Sequence, residues 1–243
     1  METVPTALKF VFPLITAFTV WQFYRAANKS RTTLYVLLAW LALQAALGLS
    51  GFYTANSAAT PPRLMLAVLP PVLLTVGLLL TTRGRAYLDS LRIDRLTLLH
   101  TVRIFVELGL LVLYMHHAVP KLMTFEGRNW DIFSGLSAPV VYFLVFRRQV
   151  LGRSALLFWN LLCLGLVLNI LVNALLAIPG PFQQFGFEQP NVAVLYFPFV
   201  WLPSCVVPLV IVSHLAAIRQ LLTGKPLLGD PAQPVAGGMN TAN

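Results

Sequence analysis

The sequence predicts an all-α fold, a single membrane bundle of seven transmembrane helices, on three observations. Of the 243 residues, 58% are hydrophobic and only 10% are charged, where soluble domains carry about 25% charged residues. A soluble chain of this length cannot hide so much apolar surface, whereas a bilayer can. Apolar runs close to the roughly 20 residues needed to cross the hydrocarbon core recur along the chain. Seven crossings put alternate loops on the same side of the membrane, and the basic residues between those runs sort to one set of alternate loops.

The runs follow in order. Leu8–Tyr24 is the first and contains Pro13. Almost no positive charge precedes it, and Arg25, Lys29 and Arg31 follow it. That is the reverse of a cleavable signal's charge order, so a retained helix is expected. Leu34–Tyr53 is the second run, and Leu64–Thr82, with Pro70 and Pro71, is the third. Leu96–Val119 is the fourth, and Ile132–Phe146 is the fifth and shortest. Ala155–Ile178 is the sixth, and Val192–Ile218, with Pro198, Pro203 and Pro208, is the seventh. Prolines inside a run are tolerated in a membrane because neighbouring helices satisfy the freed backbone groups. The stretch 1–228 is expected to form the bundle. Beyond Leu228 the chain turns to Gly, Pro and small polar residues, and 229–243 reads as a disordered cytoplasmic tail.

The formal net charge is +9, but the basic residues form short clusters between apolar runs, which excludes a nucleic-acid surface and fits membrane orientation signals. One set of loops holds Arg25, Lys29, Arg31, Arg83, Arg85, Arg92, Arg95, Arg147, Arg148, Arg153, Arg219 and Lys225; the other holds only Lys9, Arg63, Lys121 and Arg128. The positive-inside rule then puts the N-terminus outside and the C-terminus in the cytoplasm. The expected location is the cell membrane, the inner one in a Gram-negative source, with the lipid bilayer as partner. There is a faint internal symmetry. Arg25 and Arg31 mirror Arg147 and Arg153, Pro13 mirrors Pro139, and Pro71 with Arg83 mirrors Pro208 with Arg219. Two parallel three-helix units joined by a fourth helix, an arrangement some transporters use, would produce it.

The fourth run carries the chemistry. His100, Arg103, Glu107 and Tyr114 are spaced to share one helical face. Glu107 falls near the middle of the run, where a charge costs roughly 2.5–3.5 kcal/mol on insertion scales and points to function by default. The plain alternative is an Arg103–Glu107 pair that only ties helices together. Asn169 and Asn173 of the sixth run share a face, with Asn160 opposite; interhelical hydrogen bonding is the expected use, although Asn169 lies near the depth of Glu107. His100 and His214 match in depth near the cytoplasmic ends of their runs. They read as interfacial histidines, with ligation of a haem as the rival. His116 and His117 diverge by about 100° on a helix and make a poor metal chelate. Cys163 and Cys205 lie in apolar runs with no CxxC and read as small buried hydrophobes.

Two outer segments, Pro120–Asp131 and Pro179–Asn191, mix charges with aromatics. Glu126, Arg128, Trp130, Asp131 and Glu188 are expected in an external cap over the bundle, the alternative being an aromatic belt on the headgroups. No GxSxG, HExxH, P-loop or GxGxxG pattern occurs. Three function classes remain: a small-solute transporter or channel with a midplane polar site, a membrane-embedded enzyme or redox protein, and a non-catalytic sensor or assembly partner. Midplane charge and proline-broken helices rank the transporter first, with an unnamed small molecule as its ligand.

Overall fold

The structure, a computed structural model, describes residues 3–55 and 62–225. The expected tail, 229–243, lies outside the described residues, as does the stretch 226–228. Every regular element among the described residues is helical. They are α1 (Thr6–Ala26), α2 (Arg31–Leu49), α3 (Met65–Leu80), α4 (Thr82–Ser90), α5 (Ile93–Leu99), α6 (Val102–Met115), α7 (Ile132–Tyr142), α8 (Arg153–Leu176) and α9 (Val207–Leu222). The pair α5–α6 acts as one span, Ile93–Met115, and α9 is extended backward by a π-helical turn to give Leu202–Leu222. Five helices among the described residues are long and apolar enough to cross a membrane, or six if the bent pair α3–α4 is one span. These lengths and compositions are compatible with a multi-pass membrane protein.

The departures from the predicted runs have local causes. The third run ends in a 94° bend, where Thr81 leaves the helix and its hydroxyl caps α4 by accepting from Gly84 N at 3.1 Å. A Cβ on Gly84 would stand 2.5 Å from Leu78 Cα, so glycine permits the fold-back. The stretch from Arg83 expected as a loop is therefore an amphipathic helix. The proposed mirror between Arg83 and Arg219 breaks down here, because Arg219 stays inside the continuous α9. The seventh run starts late: Ala193–Leu195 is a 3₁₀ turn and the long helix begins at Leu202. Ile132–Arg147 remains a short apolar helix, α7 plus a π-helical turn at Phe143–Arg147.

Contacts sort the chain into two ends. At one, Thr3 donates to His116 O, Pro120 packs on Gly186, and Arg128 lies over the Phe185 ring. At the other, Arg92 N donates to Ala26 O, Asn28 to Ser90 O, Arg153 to Lys225 O, and Arg219 grips Asp89 with two 2.9 Å bonds. Between them one continuous apolar core joins α1, α5, α6 and α9 around Phe12, Leu96, Leu99, Leu113 and Phe199. Proline consequences are met locally. Pro208 has no N–H for the Ser204 carbonyl one turn earlier, and Trp40 Nε1 of α2 fills that vacancy at 2.8 Å.

Candidate functional site

Ile104 is the middle residue of Ile93–Met115, so Arg103 and Glu107 flank the centre of their span. Both are 2% exposed. One helical turn apart, they are not paired with each other. Each reaches instead to the segment that leads into α7. Arg103 Nε lies 2.8 Å from Asp131 Oδ2, and Glu107 Oε1 accepts from Asn129 Nδ2 at 2.6 Å. Asp131 also accepts from Ser134 Oγ at 3.4 Å, and its N–H donates to Asn129 Oδ1 at 3.1 Å.

Two glycines permit this. A Cβ on Gly127 would sit 2.2 Å from Lys121 O, so the segment can coil tightly on itself. A Cβ on Gly135 would sit 2.9 Å from Ile104 N and 3.2 Å from Arg103 Cβ. Backbone-to-backbone contact of α7 with α6 at Arg103 is what brings Asp131 within reach. The segment therefore dips into the bundle, and α7 needs fewer residues to reach the far end. Irregular backbone at this depth is tolerated because protein surrounds it.

The chain of contacts continues beyond Arg103. Its two terminal nitrogens approach His214 Nε2 and Cys163 O, each at 3.3 Å. Guanidinium has donors only, so His214 Nε2 must accept and its proton sits on Nδ1. Nδ1–H donates to Asn160 Oδ1 at 2.9 Å, and Asn160 Nδ2 donates to Leu156 O at 2.9 Å. An unbroken polar path thus runs from Asn160 on α8, through His214 on α9 and Arg103 on α6, to Asp131, Asn129 and Glu107. His100 completes the site by stacking on His214, ring centroids 3.8 Å apart and 14° from parallel. Trp159 meets both rings and anchors its own indole N–H on Ser137 Oγ at 2.9 Å.

Three buried groups of the site are left without a partner: both ring nitrogens of His100 and Glu107 Oε2. Glu107 and Asp131 border a cavity of about 60 Å³ whose other walls, Val106, Met123, Pro203 and Val207 among them, are apolar. A water-sized group needs roughly 10–15 Å³, so the cavity accepts a few small groups. The charge arithmetic is uneven, with two carboxylates facing one guanidinium. In a low-dielectric interior such an imbalance favours uptake of a proton or cation.

Several expectations change. His100 and His214 are not interfacial: both are fully buried, and His214 lies two residues from Val212, the middle of its span. Their rings meet face to face, whereas two axial haem ligands must direct nitrogens at one iron from opposite sides. Asp131 is not a cap residue but the partner of Arg103. Asn169 faces outward and donates to Arg128 O at 3.0 Å, away from the Glu107 cavity. Asn173 is buried but bonds within its own helix, to the Asn169 backbone and side chain. Tyr114 is half-buried against the apolar core, where its carbonyl accepts from Gln189. The remaining cap residues, Glu126, Arg128, Trp130 and Glu188, are exposed. The two outer segments do touch, yet Trp130, Phe182 and Phe187 turn outward as a belt would have them. Cys163 and Cys205 are free and buried. Among the described residues, no group of three or more His, Cys, Asp or Glu is placed to hold a metal ion.

Nothing in the sequence marks Asn129, and Asn160 stands out there only as the asparagine opposite Asn169, with the interhelical bond it makes to His214 as its expected use. Asn160 sits opposite Asn169 on α8, and that opposite face proves to be the inner one. For Asn129 and Asp131, the signal was the shortness of the apolar run that follows them. No curated protein and no solved structure matches the chain. A family model, a domain of unknown function designated DUF8737, matches residues 60–222. That stretch holds every member of the buried polar path, and by a match over most of its length the chain belongs to the DUF8737 family.

Proposed function

We propose that this protein is a transporter or channel for a small solute, and that a proton moves through its buried polar path with Glu107 as the exchanging group. The observation that carries the proposal is Glu107 itself. It is mid-span and buried, with one carboxylate oxygen on Asn129 and the other unpartnered beside a cavity. Chains of Asp, Glu and His inside a membrane are the usual elements of proton relays in pumps and transporters. Protonation of Glu107 gives the cluster one positive and one negative charge, and frees Asn129 to change partner.

The same proposal includes the topology. Seven crossings, N-terminus outside and C-terminus cytoplasmic, are supported by the basic-residue sorting and by the two-ended contacts of the bundle. Counting seven takes α3–α4 as one crossing and α7 with its π-helical turn as another, shortened by the dip before it. The cell membrane is the proposed location. Reporter fusions at both termini test the topology, and termini on one side would refute it.

The functional test is solute-driven proton movement in proteoliposomes holding a pH-sensitive dye. A panel of small solutes is screened with the wild type, Glu107→Gln and Glu126→Gln. Solute-dependent proton movement should appear in the wild type, persist in Glu126→Gln and vanish in Glu107→Gln. Movement that survives Glu107→Gln overturns the coupling role, and solute flux in no case overturns transport.

A further inference from the structure

A second site lies far from this path, between α1 and α2. A cleft of about 720 Å³ opens sideways there, lined by Pro13, Leu14, Trp21, Leu34, Leu38 and Trp201 among other apolar side chains. From Pro13 to Tyr24 its α1 wall rises about 16 Å at ~1.5 Å per residue. That is half of the ~30 Å hydrocarbon core, the depth of one leaflet. The cleft ends where α1 turns into α2, and this turn is basic: Arg25, Lys29 and Arg31 follow one another within seven residues. Among the described residues no carboxylate lies within ion-pair distance of any of the three. Arg92, Arg95 and Arg219 at this end are each held by an aspartate. Arg83, Arg85, Arg147, Arg148 and Arg153 share the lack of a carboxylate, but only Arg25, Lys29 and Arg31 cluster on the turn that closes this cleft. The Arg25 guanidinium lies 4.9 Å over the Trp21 ring, on the cleft wall.

We infer that this cleft is a binding site for an anionic phospholipid, with an acyl chain between α1 and α2 and the phosphate on Arg25, Lys29 and Arg31. An apolar slot one leaflet deep, closed at the headgroup level by unpaired cations, matches that ligand in length and in charge. Basic pockets between membrane helices are a known mode of anionic lipid recognition. A second copy of the chain is a poorer occupant, because it would bring the same three positive charges to the same mouth.

Trp21 reports on occupancy. The full-length protein is reconstituted in phosphatidylcholine vesicles containing a small fraction of brominated phosphatidylglycerol or, separately, brominated phosphatidylcholine. Tryptophan quenching by the brominated phosphatidylglycerol should exceed that by the neutral lipid at equal fraction. The excess should fall in Trp21→Phe and disappear when Trp201, the other indole of the cleft, is also replaced by Phe. Each of Arg25→Gln, Lys29→Gln and Arg31→Gln should weaken the preference about five-fold, the equivalent of one cation near an anionic surface. Unchanged quenching by the neutral lipid shows that each variant is folded. Equal quenching by the two lipids overturns the inference, as does an excess that survives the Trp21→Phe, Trp201→Phe double variant or the triple glutamine variant. If a second copy fills the cleft, neither lipid quenches Trp21 and the protein runs as a dimer, which also overturns it.

Discussion

The spans Ile93–Met115 and Leu202–Leu222 have a mean hydropathy of 1.9 each, and α2 has 1.7. By that measure the three are interchangeable. Yet 61% of the apolar window is buried in each of the first two and only 17% in α2. The first two carry His100, Arg103, Glu107 and His214, while α2 past Arg31 carries no charge. Apolarity in a membrane helix indicates that it can cross, and an ionisable side chain indicates which face must point inward. The half of the bundle built by α6, α7, α8 and α9 is held by polar pairing. The α2 half carries no ion pair among the described residues and rests on apolar contact and neutral hydrogen bonds: the indoles Trp40 to Ser204 O and Trp201 to Leu41 O, Thr33 with the Tyr87 hydroxyl, and the Tyr53 hydroxyl to Gln44 Oε1.

This contrast can be broken most sharply at Asp131. Asp131→Ala leaves the Arg103 guanidinium buried and unpaired, and is expected to cost about 3–5 kcal/mol, read as a fall in thermal stability in detergent. Leu43→Ala on the exposed face of α2 should stay within about 0.5 kcal/mol of wild type. Equal losses in the two variants would erase the distinction between the halves.

A smaller effect is expected from the glycines. Gly135→Ala forces a methyl group against the Ile104 backbone and should cost about 1–3 kcal/mol, while moving Asp131 away from Arg103. Gly77→Ala in α3 and Gly165→Ala in α8 meet nothing within 4 Å. They should be neutral or gain up to about 1 kcal/mol from helix propensity. The same assay checks all three. The smallest of the expected losses from a broken contact is that of Trp40→Phe, which leaves the Ser204 carbonyl without its indole donor and should cost about 1 kcal/mol. That loss would loosen α2 without disturbing the polar path.

Most of the fold was legible because membrane crossing imposes length and apolarity, and both can be read residue by residue. The break at Thr81 was not, since it depends on a Cβ that Gly84 lacks. At the site, Arg103 and Glu107 were legible from depth alone. Their partners were not, because helical spacing ranks Glu107 as the nearest partner of Arg103 and says nothing of an irregular segment entering from outside. Asp131 sits among Glu126, Arg128 and Trp130 in the chain, which are surface residues, and only Gly135 packing on α6 turns it inward. The rings of His100 and His214 stack on each other, and the apolar helix starts at Ile93 where the run starts at Leu96, which sets His100 seven residues from its beginning.

The central claim is that Glu107 is the group in the buried path that exchanges a proton. Infrared difference spectroscopy of the reconstituted protein, titrated across pH, reads that proton directly as a carboxylic acid carbonyl band. The account predicts a band that titrates in the wild type and in Glu126→Gln and is lost in Glu107→Gln. A band unchanged by Glu107→Gln, or the lack of any titrating buried carboxylic acid, would contradict it.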